Sequence, residues 1–112
     1  MLRKQNKLPA DDLNQLKAKA LKAYEAAVER ANPFTAVQSC IRKYGLPEPK
    51  SGGKTLVIGV GKAAPAMING LRPHINGPNN CICITHKENK ENVDECEMFK
   101  TGHPVPYEGG AL

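Results

Sequence analysis

The sequence predicts an α/β protein with a mostly parallel sheet, and three observations carry that expectation. Two segments, 11–30 and 33–44, repeat apolar residues at helical spacing. A β-branched run, Thr55-Leu56-Val57-Ile58-Gly59-Val60, ends in a Gly-Val-Gly turn and passes directly into a helix-forming stretch. A second β-rich run, Cys81-Ile82-Cys83-Ile84-Thr85, follows at the distance of a strand–helix–strand unit.

In the first helix, Leu13, Leu16, Ala20, Tyr24 and Ala27 form the apolar stripe, and Asp11 or Asp12 is the expected N-cap. Asn32-Pro33 breaks and restarts the chain, with Asn32 as N-cap and Pro33 in the first helical position. Phe34, Val37, Ile41 and Tyr44 make the second stripe, and Gly45 follows as the expected C-terminal glycine. Residues 45–53 are rich in Gly and Pro and read as a loop. The first strand is apolar at nearly every position, the pattern of a strand covered on both faces. The third helix is expected over 62–74, with Ala63, Met67, Gly70 and Leu71 on one face and Pro65 in its first turn. Residues 86–95 read as a charged, solvated excursion, and Cys96–Lys100 as a third strand. The gap before that strand is short for a helical crossover, so its pairing is open. So small a sheet leaves open edges and an uncovered face, which argues for truncation or for a partner chain.

The chain has 112 residues, 40% hydrophobic and 24% charged, the composition of a soluble globular domain. No apolar run approaches the length of a membrane span. The formal net charge is +5, and much of the excess lies near the start, in Arg3, Lys4, Lys7, Lys17, Lys19 and Lys22. No aromatic residue interleaves with that basic stretch, so no base-stacking platform is formed and nucleic acid is not the expected partner. The start of the chain lacks the apolar segment of a secretory signal. A mitochondrial presequence stays open, although Asp11 and Asp12 arrive early for one. The expected location is cytoplasmic. Cys40, Cys81, Cys83 and Cys96 contain no Cys-x-x-Cys pair and are expected as reduced, buried thiols. No ligand spacing links them to His86 or His103, so no metal site is expected. His74 and His86 stand alone and read as structural or surface residues.

Two loops carry chemistry. The first is Gly59-Val60-Gly61-Lys62-Ala63. Its glycines let the backbone turn sharply, the following helix presents unpaired N–H groups with its positive dipole end, and Lys62 adds a full charge. Together these make an anion site, for phosphate or carboxylate. The alternative is a tight turn with a solvated lysine. The second loop, Gly102-His103-Pro104-Val105-Pro106, follows a strand and therefore lies where α/β sheets place ligands. His103 there can donate to an oxyanion, or serve only as a backbone partner in a rigid turn. Gly53-Lys54-Thr55 imitates the end of a Walker A motif but leads into a strand, and Glu48 stands where its first glycine belongs. Gly59-x-Gly61-x-x-Ala64 fits the looser dinucleotide fingerprint, but no acidic residue closes the second strand.

Asn32-Pro33, the stretch Leu56 to Met67 and the stretch Thr101 to Gly110 together resemble the N-terminal domain of glycerate 2-kinases, the MOFRL-containing family also labelled hydroxypyruvate reductases. The resemblance covers residues 11–112, with residues 1–10 as a flexible basic extension. It implies the N-terminal part of a Rossmann-like three-layer domain, incomplete in this chain, and ATP- and Mg²⁺-dependent phosphorylation of D-glycerate to 2-phosphoglycerate. By that similarity Lys62 is the catalytic cation, the backbone from Gly59 through Val60 and Gly61 to Ala63 cradles the anion, and Gly102, His103 and Pro104 line the substrate side. Members of that family are several times longer, with a second domain. The chain by itself is therefore expected to be inactive, needing the remainder of a full-length chain or a homo-oligomeric partner. The alternatives are a nicotinamide-dependent reductase and a non-catalytic sugar-phosphate-binding module.

Overall fold

The computed structural model describes residues 9–102. The chain divides at Ala31–Asn32 into two units. The first holds helix α1, Ala10–Arg30. The expected aspartate cap does not form: Pro9 takes the N-cap position, and Asp11 and Asp12 lie in the first turn. Carboxylates there still favour the helix, because they face its positive end. No residue of α1 is buried, so its stripe of Leu13, Leu16 and Tyr24 is exposed.

The second unit begins with α2, Pro33–Tyr44. Asn32 Oδ1 accepts from the amides of Phe34 at 3.0 Å and Thr35 at 3.4 Å. The cap therefore satisfies two donors the helix cannot satisfy itself. Gly45 ends the helix with φ of 73°, a conformation few residues other than glycine adopt readily.

Three strands, β1 (Thr55–Val60), β2 (Asn79–His86) and β3 (Glu97–Thr101), form one open sheet in the order β1-β2-β3, with both pairings parallel. Helix α3, Ala64–Leu71, crosses from β1 to β2 and tightens into a short 3-10 turn at Arg72–His74. The protein is thus α/β, an incomplete Rossmann-like unit. Helix α3 starts two residues later than its pattern suggests, which leaves Lys62 and Ala63 in the turn before it. Its buried positions are Ala64, Pro65, Ile68 and Gly70, while Met67 is exposed. The reason is close approach. A Cβ on Gly59 would lie 2.5 Å from Ile68 Cδ1 and 3.1 Å from Ala64 Cβ, so α3 seats where β1 has no side chain. On its other side, a Cβ on Gly70 would lie 2.7 Å from Phe34 O, which lets α2 lie against α3.

Strands β2 and β3 are parallel, yet no helix joins them. The connection instead folds over α3. Val93 is buried among Val57, Ala64, Ile68, Cys81 and Cys83, and so belongs to the core rather than to a solvated excursion. Asn69 Nδ2 donates to Asn92 O at 3.0 Å, and the Arg72 guanidinium donates to Asp94 O. The connection thereby supplies the cover that a crossover helix supplies elsewhere.

Only one face of β1 is covered among the described residues, where its pattern suggests both. Leu56, Ile58 and Val60 remain exposed, and Phe99 of β3 is aligned with them through Ile84. No helix among the described residues is long and apolar enough to cross a membrane.

The cysteines depart furthest from expectation. Cys81 and Cys96 are joined as a disulfide, with Cα atoms 4.7 Å apart. The register pairs Ile82 with Glu97, so one step back along it Cys81 meets Cys96. That neighbourhood exists only once β2 and β3 pair. Cys40 is a free, exposed thiol, and Cys83 a free, buried one whose pKa is raised by burial. The cysteines therefore give no ground for a reducing compartment.

In the unreduced native chain, iodoacetamide labels Cys40 readily and Cys83 only after unfolding, as read by mass spectrometry. Labelling of Cys81 and Cys96 in unreduced, denatured protein contradicts the disulfide. Urea unfolding reads two packing features. Asn32→Ala costs about 1 kcal/mol through the lost cap, and Gly59→Ala costs roughly 1–3 kcal/mol because the added methyl has no room. Unchanged midpoints contradict both.

Candidate functional site

The parallel order brings the carboxyl ends of all three strands to one edge of the sheet, where open α/β sheets place ligands. Val60, His86 and Thr101 end their strands there. The turn Gly61-Lys62-Ala63 leaves β1 at this edge and enters α3.

Each peptide of the turn is oriented by an identifiable hydrogen bond. Gly61 has φ of 114°, a conformation open to glycine, and its amide donates to Ile84 O at 2.9 Å. Gly61 N–H is thus committed to the sheet. Gly61 O accepts from Ala64 N at 3.2 Å, toward the helix. In a planar trans peptide the C=O and the next N–H point in opposite directions, so the Lys62 amide faces away from that contact. Lys62 O accepts from Asn89 Nδ2 at 3.0 Å, which turns the Ala63 amide away from Asn89 by the same geometry. Neither the Lys62 nor the Ala63 amide donates in a backbone hydrogen bond of the described residues.

The helix behind this turn has no side-chain cap and no acidic residue in its first turn. The contrast with α2, capped by Asn32, is direct. The positive end of α3 is left without a negative partner from its own sequence, and the exposed Lys62 stands before it. Helix starts of this kind, with amides that lack backbone acceptors and a lysine beside them, suit an anion.

Gly59 and Val60, expected to cradle the anion, belong to β1, and Gly59 serves the packing of α3. Gly102 leaves β3 at the same edge of the sheet, with β2 between it and the Gly61 turn. Two strand spacings separate β1 from β3, about 10 Å. His103 and Pro104, the other expected substrate contacts, lie outside the described residues. Among the described residues no group of three metal-ligating side chains occurs.

Asn89 is the residue that sequence reasoning missed. It lies in the β2–β3 connection and also donates to Thr85 Oγ1 at 3.0 Å, while its Oδ1 accepts from the Glu91 amide at 3.0 Å. Thr85 is 1% exposed, a buried anchor near the end of β2. Lys100 Nζ donates to Asn89 O at 3.1 Å. No motif announces this residue, because its partners come from two other elements.

Two cavities lie elsewhere in the second unit, the first reaching Val60 and Ala64 on either side of the turn. One, of about 290 Å³, is lined by apolar residues including Val37, Ile58, Met67 and Leu71. The other, of about 210 Å³, lies beside His74, Glu48 and Asn76. Neither includes Lys62 or Ala63 in its lining.

A family model described as a domain of unknown function, DUF4147, matches residues 19–111. No curated protein and no solved structure matches the chain. The match spans most of the sequence, including both glycine-containing loops and the whole of the sheet: the chain belongs to the DUF4147 domain family.

Proposed function

We propose that the turn between β1 and α3 binds the phosphate or carboxylate group of a small anionic substrate, and that the chain acts as the N-terminal segment of a glycerate 2-kinase-type phosphotransferase. The uncapped, acid-free start of α3 behind Lys62 carries this reading. Its second support is the family, since DUF4147 is the N-terminal domain of MOFRL/glycerate kinase family proteins.

Phosphoryl transfer needs positioning and cationic stabilisation more than covalent help from the protein. The Lys62 ammonium neutralises charge that builds up on a transferring phosphoryl group or holds a substrate carboxylate. The Lys62 and Ala63 amides fix its oxygens. By that likeness Gly102, which leaves β3 with β2 between it and the turn, and His103 serve the substrate side. ATP supplies the phosphoryl group when bound, and its phosphates fit a site built from amides and an ammonium. Mg²⁺ would accompany the ATP phosphates, as the same likeness implies. The apolar face of Leu56, Ile58 and Val60 is where further chain or a second copy completes the sheet's cover.

The reductase reading has less support. Strand β2 ends at Thr85-His86, with no carboxylate to receive a ribose hydroxyl, and Glu88 comes only beyond the strand. The sugar-phosphate module lacks a hydroxyl after Lys62, where Ala63 stands.

Titration calorimetry tests the proposal. ATP or D-glycerate binds the chain, Lys62→Ala weakens that binding about tenfold or more, and NADH gives no signal. Micromolar binding of NADH or NADPH, with none of ATP or glycerate, overturns it.

A further inference from the structure

We infer that Asn89 is the positioning residue of the anion site: it holds the Lys62–Ala63 peptide so that the Ala63 amide points at the ligand. This rests on the reading of the β1–α3 turn as an anion site.

The turn cannot fix this peptide by itself. Gly61 is tied to the sheet through Ile84 O, and Ala63 O already takes the Met67 amide at 3.0 Å as α3 begins. The peptide between Lys62 and Ala63 is the remaining hinge. Its carbonyl is held by the Asn89 side chain, and because the peptide is planar and trans, the carbonyl direction sets the opposite direction for the Ala63 N–H. A peptide free to rotate would present the donor in some orientations and the repelling carbonyl in others. A preorganised donor stabilises a bound anion more than one that must first be turned.

Asn89 is itself fully committed. Both side-chain amide hydrogens are used, one on Lys62 O and one on Thr85 Oγ1. The side-chain oxygen takes the Glu91 amide, and the backbone amide donates to His86 O at 3.0 Å. Glu91 N can only donate and Lys62 O can only accept, so the network fixes which end of the side chain is nitrogen. The backbone carbonyl accepts from Lys100. One side chain thus ties the turn after β1 to the end of β2, and its main chain ties both to β3. An aspartate would keep the contact with Glu91 N–H but face Lys62 O with an oxygen.

Asn69 provides the control. It anchors the same connection, through Asn92 O, with no hydrogen bond to the Lys62 turn. A purely structural role for Asn89 predicts that both anchors matter alike.

The test is calorimetric titration of the full 112-residue chain with inorganic pyrophosphate, alongside urea unfolding of each variant. The expected result is that Asn89→Ala weakens pyrophosphate binding about tenfold, Asn89→Asp weakens it further, and Asn69→Ala stays within about twofold of the parent while destabilising the fold to a similar degree. Asn89→Asp keeps the turn at Glu91 and so remains informative where Asn89→Ala unfolds. Undiminished affinity in the Asn89 variants, or an equal loss in Asn69→Ala, overturns the positioning role and leaves the anion site standing. A parent chain that ignores pyrophosphate overturns the site and the positioning role together.

Discussion

The contact on which the rest depends is the approach of α3 to β1 at Gly59. Ile68 and Ala64 occupy the space that any side chain on Gly59 would fill. That fit fixes the distance of the helix from the sheet and places its first turn beyond the end of β1. With Gly59 covered, the chain must reverse within three residues, and Gly61 absorbs the reversal at positive φ. Lys62 and Ala63 are then left at the lip of the sheet. The position of this turn is a consequence of packing: a helix seated this closely has to begin where it does.

The two helices of this unit show how local sequence assigns different work to equivalent ends. Helix α2 begins with Asn32, whose side chain takes two amides and closes the end. Helix α3 begins after Lys62-Ala63, with nothing of its own to close it. An uncapped helix end costs stability unless something else meets its donors. An external anion would do so, and a lysine stands directly before this one. In the second unit one helix end is thus closed by its own side chain and the other is not.

Elements governed by neighbouring residues were legible in the sequence. Asn32-Pro33 fixed the start of α2, Gly45 its end, and Thr55–Val60 stood out as the first strand. The Gly-Val-Gly-Lys turn was legible as the sharp passage from the first strand into a helix. Features set by distant pairing were not. The parallel β2–β3 alignment depends on Val93 folding back over α3, and nothing in a charged ten-residue stretch signals that one valine is core. The Cys81–Cys96 disulfide follows from that alignment, so it was hidden with it. Asn89 was hidden for the same reason, since its role comes from Lys62 and Thr85 on other elements. The face of α3 was legible in part: Gly70 is buried and Leu71 packs against the core, but Met67 is exposed because the glycines at 59 and 70 decide which side packs. The exposure of Leu56, Ile58 and Val60 follows from what the described residues leave off the sheet, which the strand's own sequence does not encode.

The central claim is that two amides and an ammonium converge at the turn between β1 and α3. Two-dimensional amide NMR of the ¹⁵N-labelled chain during a titration with inorganic phosphate addresses it residue by residue. The account predicts saturable shifts largest at Lys62 and Ala63, with Gly61 responding less because its N–H is held by Ile84 O. Shifts centred on the basic residues before α1, with the Lys62 and Ala63 amides unmoved, would contradict it.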